Sequence, residues 1–352
     1  RYTTRMSSPL KVAVIGVGSL GKEHARIYAS LAAAGNVELA GVFDAQAEHA
    51  AAIAHKLGTR AFGSIEEAAA TSAALSIVTP TVTHFAIARE LLAQGKHLLV
   101  EKPMTETAAQ AAELVELAQR HSAVLQVGHV ERFNPTFKYM TEVAREPKFI
   151  EAHRLSPYPA RSTDIGVVLD LMIHDLDVVL AFVNSPVQSV DAVGMAVLSS
   201  TEDIANARLR FANGCVANLT ASRVSAERMR KVRVFSAGET PVYVSLDYRE
   251  QKGYIYRLAR EGESESSLFK KLLLAKDSTI VSEFAGKRIV REPVPIQKDE
   301  PLKLELEHFV ECVNARQRPL VSGESAKQAL DLALEITKQI QDSGMGKAHT
   351  QG

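Results

Sequence analysis

Short apolar runs alternate with amphipathic stretches along the first part of the chain. The runs lie at residues 12–15, 37–43, 75–78, 97–100 and 124–127. Each of the first four runs is followed by apolar positions at helical spacing. Continuous apolar runs are typical of strands buried on both faces, and strands that alternate with helices favour a parallel sheet. We therefore expect residues 6–130 to form an α/β domain with a doubly wound parallel sheet.

The pattern changes to a period of two beyond residue 130. Apolar and polar residues alternate over residues 187–198, 204–223, 231–235, 241–248 and 254–260. This alternation predicts an open-faced, mainly antiparallel sheet, and the dipeptide Asn213-Gly214 predicts a hairpin within it. We expect a second, α+β domain over residues 131–345 that binds substrate. Helices are predicted at residues 167–183, 302–316 and 324–341, and a long excursion at the charged residues 261–300.

Composition and charge exclude several classes of function. The 352 residues include 41 basic and 41 acidic side chains, so no net field attracts nucleic acid or an anionic membrane. The two cysteines, Cys215 and Cys312, lack metal-ligand spacing and favour a reducing, cytoplasmic location. No apolar run approaches the ~20 residues of a membrane span. The open face of the second sheet must be solvated or meet a partner, so we expect a homodimer or homotetramer built through it.

A basic cluster lies in the strand-rich part of the chain. It consists of Arg223, Arg228, Arg230, Lys231 and Arg233. No aromatic residues interleave with these side chains, as they do in sites that bind single-stranded nucleic acid. We therefore interpret the cluster as a solvated or interfacial edge of the sheet.

A glycine motif follows the first predicted strand. Gly16, Gly18 and Gly21 stand at the spacing G-x-G-x-x-G, with Ser19 and Leu20 between the last two. The first glycine permits a tight turn, the second lets a pyrophosphate approach the backbone, and the third lets the helix pack on the strand. The start of the helix then offers free N–H groups to phosphate charge. In this setting the motif predicts a dinucleotide-binding cradle.

Asp44 ends the second predicted strand. It lies about 20 residues beyond the last glycine, where a carboxylate can hold the ribose 2′-hydroxyl of NAD. A 2′-phosphate would meet its negative charge, and neither Ala45 nor Gln46 offers a cation. Asp44 therefore favours NAD over NADP as the cofactor. The alternative is that Asp44 only caps the next helix.

Polar residues follow the third and fourth predicted strands, at the sheet edge where ligands of this fold bind. Thr79, Pro80 and His84 follow the third strand, and Glu101 and Lys102 follow the fourth. A lysine beside the cofactor can orient a substrate hydroxyl and stabilise the alkoxide as the proton leaves. Glu101 would then reach the nicotinamide ribose. The alternative is a charged pair at a strand–loop junction.

The predicted helix 167–183 is mostly apolar and carries a polar stripe. Asp170, His174 and Asp177 occupy positions i, i+4 and i+7. Histidine titrates near neutrality and suits a base for a hydroxyl proton, and Asp170 would hold the imidazole in one tautomer. Two alternatives stay open, a solvent-exposed stripe and a histidine satisfied in the core. A metal site of Asp170, His174 and Asp175 is disfavoured because Asp175 lies off the stripe, so we expect no metal.

Together these motifs resemble the Gfo/Idh/MocA family of NAD(P)-dependent sugar and cyclitol oxidoreductases over nearly the whole chain. The resemblance rests on the glycine motif, on Thr79-Pro80 with His84, on Glu101-Lys102-Pro103 and on Asp170-x-x-x-His174. It implies that His174 is the base, that Asp170 supports it and that Lys102 acts on the substrate. It also implies dimers or tetramers formed through the open sheet. Thr81 is a departure, since many members have asparagine there.

Residues 128–135 and 161–170 look most like the branch of this family that acts at C3 of UDP-N-acetylhexosamines. Such a substrate needs cations for its pyrophosphate, and Arg154 and Arg161 precede the catalytic helix where they would serve. Either arginine is alternatively a surface residue. The expected function is NAD-dependent oxidation of a sugar hydroxyl. Three alternatives stay open: an inositol-type or other sugar dehydrogenase, a glycosidase that uses NAD transiently, and a non-catalytic sensor of NAD and sugar.

Overall fold

The structure is a computed structural model that describes residues 9–158, 165–238, 240–259, 279–284 and 287–344. It divides into two compact units. The first contains the residues up to Val130 together with Glu300–Asp331, and the second contains Glu131–Asp299 together with the residues from Leu332 onward. Within the described residues, no helix is both long enough and apolar enough to cross a membrane.

The first unit is built on a five-stranded parallel sheet. Its strands are β1 (Leu10–Ile15), β2 (Val37–Phe43), β3 (Ala74–Ile77), β4 (His97–Glu101) and β5 (Leu125–Gly128). They lie in the order β2-β1-β3-β4-β5, and all neighbours are parallel. The order reverses between β1 and β3, which is where doubly wound sheets bind ligands at their carboxyl edge. The predicted doubly wound α/β fold is therefore confirmed.

Among the described residues, six helices belong wholly to the first unit. They are α1 (Gly21–Ala33), α2 (Ala47–Leu57), α3 (Ile65–Thr71), α4 (Thr81–Ala93), α5 (Ala108–Arg120) and α8 (Pro301–Ala315). Thr107 and Gln110 form a capping box at the start of α5. Gly58 ends α2 in the left-handed conformation, which glycine adopts without strain.

Part of the first unit comes from far along the chain. Leu306 and Phe309 of α8 are completely buried in the same hydrophobic cluster as Val12 of β1 and Tyr28 of α1. This burial groups residues 300–331 with the first unit, whereas the sequence analysis places them in the second domain. The apolar face of α8 is visible in the sequence, but the surface that covers it is not.

The second unit is built on a nine-stranded sheet. Its strands are β6 (Pro147–Leu155), β7 (Val187–Met195), β8 (Ile204–Phe211), β9 (Val216–Ser222), β10 (Met229–Ser236), β11 (Val242–Asp247), β12 (Lys252–Leu258), β13 (Thr279–Phe284) and β14 (Lys287–Pro293). They lie in the order β13-β14-β12-β11-β10-β6-β9-β8-β7. Neighbours are antiparallel except for the parallel pair β6 and β9, which confirms the predicted mainly antiparallel sheet. The predicted hairpin turn joins β8 to β9, and Gly214 in it has a φ of 83°.

Two parts of the second unit differ from the sequence-based expectation. The long excursion predicted over residues 261–300 is wrong in part, because β13 and β14 lie there and extend the sheet beyond β12. Residues 260–278, 285 and 286 lie outside the described residues. Helix α6 (Pro135–Val143) and strand β6 are also not predicted from the pattern. In β6 the buried positions include Arg154 beside Ile150 and Ala152, and a buried arginine hides the apolar alternation.

The predicted helix 167–183 has two parts. A π-helix covers Val168–Met172, and α7 follows over Ile173–Val183. π-Helical turns are rare and occur frequently at functional sites. Asp170 lies in the π-helix and His174 in the first turn of α7, so regular α-helical spacing does not relate the two. Helix α9 (Gly323–Asp342) completes the fold, and the division between the units falls within it.

The sheet of the second unit has one covered face and one open face. The buried positions of β8 are Ala205, Ala207, Leu209 and Phe211, and the positions between them are exposed. On the open face, the rings of Phe149, Phe235, Tyr243 and Tyr256 form a row across four strands. Their successive centroids are 5.9, 4.4 and 4.9 Å apart.

Candidate active site

The glycine motif forms the turn between β1 and α1. Gly16 has a φ of +87°, and a Cβ atom there would collide with the carbonyl group of Val78. A Cβ atom on Gly21 would overlap the carbonyl group of Gly16. Gly18 differs, because no described atom lies within 4 Å of the position its Cβ would take. The fold itself requires Gly16 and Gly21, whereas the space beside Gly18 is open to a ligand.

The start of α1 fits a bound anion. Ser19 and Leu20 lead into the helix and are exposed. Leu20 is the N-cap residue, and none of the described side chains caps this end of α1. The first N–H groups of a helix have no acceptor within it, and the helix dipole places partial positive charge there. A dinucleotide diphosphate would find both features beside Gly18.

Asp44 ties the end of β2 to the glycine turn. Its Oδ2 accepts a hydrogen bond from the N–H of Val17 at 2.8 Å, and its Oδ1 accepts one from the N–H of Gln46 at 2.9 Å. The N-cap of α2 is Gln46, not Asp44. The alternative of Asp44 as only a helix cap therefore does not describe this carboxylate, which lies against the turn of the predicted cofactor cradle.

His84 joins the two loops at the carboxyl edge of the first sheet. It is buried, with Nδ1 2.9 Å from the carbonyl oxygen of Pro103 and Nε2 2.8 Å from that of Thr79. The Lys102-Pro103 peptide bond is cis. These contacts bring the Thr79-Pro80 turn next to the loop of Lys102, as the sequence analysis expects for residues at the ends of neighbouring strands.

Glu101 has a buried partner that the sequence analysis misses. Its Oε1 lies 3.0 Å from Nε2 of His24, and its Oε2 accepts a hydrogen bond from the N–H of Lys102 at 3.3 Å. His24 is completely buried and Lys102 is half-buried. His24 stands three residues after Gly21, in the first turn of the helix that starts at the carboxyl edge of the sheet. A polar residue at that position in the first turn is the sequence signal that could have identified His24 as part of the site.

Glu202 fixes the start of the predicted catalytic helix in the second unit. The N–H of Val167 donates to the carbonyl oxygen of Glu202 at 2.9 Å, and the N–H of Val168 donates to its Oε1 at 3.2 Å. A Cβ atom on Gly166 would overlap the Glu202 carboxylate. The lack of a side chain at Gly166 therefore lets a buried carboxylate cap the π-helix. Glu202 is not predicted from the sequence because it lies far along the chain from this helix.

Arg223 stabilises the same corner of the second unit. It is completely buried, and its Nε donates to Oδ1 of Asp203 at 2.7 Å while its Nη1 donates to the carbonyl oxygen of Ile165 at 2.6 Å. Its Nη2 donates to the hydroxyl groups of Ser199 and Thr201 at 2.8 and 2.9 Å. A buried guanidinium needs such a set of acceptors. The expectation of a solvated or interfacial edge is therefore wrong for Arg223.

Asp170 and His174 are both half-buried. The N–H of Asp170 donates to the carbonyl oxygen of Gly166 at 3.0 Å, which links its position to the corner that Glu202 caps. Within the described residues, no three His, Cys, Asp or Glu side chains are grouped as a metal site. The half-buried positions agree with neither a fully solvated stripe nor a fully enclosed core histidine.

Arg154 has partners that contradict its predicted role. Its Nε and Nη2 each donate to a different oxygen of Asp175 at 2.9 Å, and its Nη1 donates to Oε1 of Glu131 at 3.1 Å. Burial lowers the pKa of a guanidinium, but the charges of Asp175 and Glu131 outweigh it and shift the pKa of Arg154 upward. A guanidinium that is buried between two carboxylates is not available to a substrate pyrophosphate. Arg161 lies outside the described residues, so its role stays a prediction.

Asp177 does not share an open stripe with His174, which corrects the helical-wheel prediction. It is 2% exposed, and its Oδ1 lies 3.4 Å from Nη1 of Arg132. Burial raises the pKa of Asp177 to about 7, against the opposing charge of Arg132. The helix is therefore held by Glu202 at its start, by Arg154 next to His174 and by Arg132 one turn later.

Comparisons with known proteins find relatives of both units. Residues 10–129 match the Gfo/Idh/MocA model, described as an oxidoreductase family with an NAD-binding Rossmann fold, and residues 145–239 match the Gfo/Idh/MocA C-terminal domain.

A UDP-N-acetylglucosamine 3-dehydrogenase from Acidithiobacillus ferrooxidans is 37% identical over 93% of this chain and 96% of its own length. A solved structure of that name and organism has a TM-score of 0.81 at 35% identity, covering 95% of this chain and 98% of its own. An inositol 2-dehydrogenase from Leifsonia xyli is 31% identical over 52% of this chain and 56% of its own length. These matches confirm the NAD-binding Rossmann fold that the glycine motif predicts.

Proposed function

Because this chain belongs to the Gfo/Idh/MocA oxidoreductase family, we propose that it is an NAD-dependent dehydrogenase that oxidises the 3-hydroxyl of UDP-N-acetylglucosamine. The observation that carries this choice is the 37% identity with a UDP-N-acetylglucosamine 3-dehydrogenase, which extends over 93% of the chain and therefore through both units. The similarity to the Leifsonia inositol 2-dehydrogenase covers only 52% of the chain. The product would be a 3-keto sugar nucleotide, which an aminotransferase can convert to a 3-amino sugar.

The glycine turn and Asp44 fit NAD. The open space at Gly18 and the uncapped N–H groups of α1 would take the diphosphate. Asp44, fixed by the N–H groups of Val17 and Gln46, would accept hydrogen bonds from the adenosine ribose. A 2′-phosphate would meet the charge of Asp44, so we expect NAD to be preferred to NADP. Bound NAD supplies the hydride acceptor, and the protein must hold the sugar and take the proton.

His174 would take the proton of the sugar hydroxyl on an imidazole nitrogen. The ammonium group of Lys102 would donate a hydrogen bond to the same oxygen and stabilise its negative charge as the proton leaves. Asp170 would hold the imidazole in the tautomer that accepts the proton and stabilise the imidazolium that forms. Each positioned acid–base group of this kind is typically worth ~10² to 10⁴ in rate.

The remaining polar residues at the edge of the first sheet would shape the cofactor site. Thr79 and Pro80 would line the cofactor, and His84 would hold their turn against the loop of Lys102. Glu101, whose carboxylate His24 fixes, would contact the nicotinamide ribose. These roles follow from the position of the residues beyond the carboxyl ends of β3 and β4.

The open sheet face would join two copies of the chain. Its aromatic row of Phe149, Phe235, Tyr243 and Tyr256 presents large side chains of the kind enriched at interfaces. We propose a homodimer or homotetramer built through this face. The buried free thiols of Cys215 and Cys312 accord with a reducing cytoplasm.

The test is absorbance at the NADH band while purified protein and NAD are offered UDP-N-acetylglucosamine, its uronic acid form or myo-inositol. Parallel reactions contain 2-oxoglutarate to reoxidise NADH that stays bound. NADH formation with UDP-N-acetylglucosamine is expected. Turnover of myo-inositol alone would overturn the substrate and keep the reaction class. A sugar released by cleavage, without net NADH, would replace the proposal with an NAD-using glycosidase, and binding without any turnover would indicate a sensor.

A further inference from the structure

The structure places four of the five residues of the basic cluster 223–233 in three environments. Arg223 is completely buried in its contacts with Asp203. Lys231 and Arg233 lie on the open face of β10, where Arg233 approaches Glu151 at 3.4 Å. Arg230 alternates with them and shares the covered face with Val232 and Val234, which are buried. Arg230 therefore lies on the same side of the sheet as the predicted catalytic helix, whereas the sequence predicts one edge for the whole cluster.

Arg230 lies directly beside the contacts that hold this helix. In the antiparallel pair of β10 and β6 it stands opposite Arg154, which binds the residue next to His174. The Nη1 of Arg230 lies 3.4 Å from Oε1 of Glu131, the same oxygen that Arg154 approaches at 3.1 Å. The Arg230 side chain is nevertheless 52% exposed, whereas that of Arg154 is 5% exposed.

The charge of Arg230 is poorly compensated. Arg154 makes two hydrogen bonds to Asp175 and one to Glu131, and the other oxygen of Glu131 accepts from Asn134. Within the part of the chain that the structure describes, Arg230 has one long side-chain contact, to a carboxylate that is already shared. Burial and then the nearby charge of Arg154 lower the pKa of Arg230, while the same carboxylates shift that of Arg154 upward. An anion bound at Arg230 would relieve the repulsion between the two guanidinium groups.

We propose that Arg230 is the cation that binds the diphosphate of the nucleotide-sugar substrate, in place of Arg154, an inference that rests on the proposed function. A guanidinium binds phosphate oxygens through two parallel N–H groups, which gives both charge and orientation. Arg230 has the accessible guanidinium that such a contact needs, and Arg154 does not. Arg154 is instead a positioning residue, which fixes Asp175 and with it the start of α7.

The test compares Arg230→Met with Lys231→Met, the neighbour on the opposite face of the same strand. Binding of UDP and of uridine is measured by calorimetry, and KM and kcat are measured with UDP-N-acetylglucosamine. Loss of a charge-assisted hydrogen bond predicts that Arg230→Met weakens UDP binding and raises KM on the order of 10- to 100-fold. Uridine binding and kcat should change little, because neither involves the diphosphate. Arg230→Lys should recover part of the affinity, and Lys231→Met should resemble the wild type.

The outcomes separate this inference from the proposed function. If the wild type turns over UDP-N-acetylglucosamine and Arg230→Met keeps its KM and its UDP affinity, Arg230 is not the cation and the function stands. If the wild type binds UDP but oxidises a different UDP-sugar, the proposed substrate fails, and a selective loss of UDP affinity in Arg230→Met still supports Arg230. An equal loss of UDP and uridine binding in Arg230→Met would indicate a general disturbance of the strand and would overturn the diphosphate contact. Failure of the wild type to bind UDP would overturn the diphosphate contact at Arg230, and turnover of UDP-N-acetylglucosamine would then decide the proposed function separately.

Discussion

The candidate sites of the two units are formed by different parts of the chain, by local backbone in the first unit and by buried charged side chains in the second. In the first unit the backbone shapes the cradle, since Gly16 and Gly21 are required by close approach and Gly18 leaves open space. In the second unit buried charged side chains hold the helix of His174, and their partners come from distant segments. Arg154 of β6 is bonded to Asp175, which is 21 residues away in sequence. A site made by local backbone is therefore visible as a short motif, whereas a site made by a charge network appears only in the folded structure.

The largest expected effect is predicted for the two residues that are proposed to act on the substrate hydroxyl. Lys102→Ala and His174→Ala should each lower turnover by ~10² to 10⁴, because the oxyanion donor or the base is lost, and should leave NAD affinity nearly unchanged. NADH formation and calorimetric NAD binding measure the two properties. His121→Ala and Lys138→Ala change exposed residues of the same type and should behave as wild type. A near wild-type rate for either site variant would remove that residue from the mechanism.

A large loss of stability is expected in the second unit when its charge network is broken. Arg154→Met leaves the half-buried carboxylate of Asp175 without its cation and the buried carboxylate of Glu131 with the longer contact to Arg230, which should lower the free energy of unfolding by about 3–5 kcal/mol. The partly exposed pair of Arg233 with Glu151 offers a control, since Arg233→Met should cost no more than about 1 kcal/mol. Urea denaturation measures both.

Kinetics of the same variants distinguish the two roles considered for Arg154. A positioning role predicts that Arg154→Met lowers kcat and that adding Asp175→Asn restores part of the stability, because one uncompensated charge is removed. A stable Arg154→Met protein with an unchanged kcat and a raised KM for UDP-N-acetylglucosamine would instead restore Arg154 as a pyrophosphate ligand.

Substitutions at two glycines of the glycine turn should change different properties, NAD binding at Gly18 and stability at Gly21. Gly18→Ala adds a methyl group to open space, so the melting temperature should stay constant while NAD binding weakens. Gly21→Ala forces a methyl group against the carbonyl group of Gly16 and should destabilise the fold by about 1–3 kcal/mol. Thermal unfolding and NAD titration of the two variants measure these effects. Unchanged NAD affinity in Gly18→Ala would show that the diphosphate does not lie beside this residue.

The smallest expected effect concerns cofactor choice. Asp44→Ala removes an acceptor for the ribose hydroxyls and a charge that repels a 2′-phosphate, so the preference for NAD over NADP should fall about tenfold. Glu48→Ala, an exposed carboxylate in the first turn of α2, is the matched control. Dissociation constants for both cofactors give the ratio directly, and a ratio equal to that of the wild type would refute the role of Asp44.

The sequence predicts the first unit well because its elements are local. Buried strands, the glycine turn and the capping box of Thr107 with Gln110 each depend on residues that are close along the chain. The prediction fails where contacts between residues that are distant in sequence determine the role of a side chain. Arg154 has the features of a ligand in sequence and is a buried structural cation in the fold, and His24 shows its role only beside Glu101. The burial of the apolar face of α8, which assigns residues 300–331 to the first unit, likewise depends on packing against residues that are distant in sequence.

The most direct test of the proposed reaction uses UDP-N-acetylglucosamine that carries deuterium at C3. The protein is incubated with NAD and this substrate, and the reduced cofactor is analysed by mass spectrometry. Oxidation of the 3-hydroxyl predicts transfer of deuterium to the cofactor, with loss of the label from the keto sugar. Reduced cofactor without deuterium, formed while the sugar keeps its label, would show that a different carbon is oxidised and would contradict the proposal.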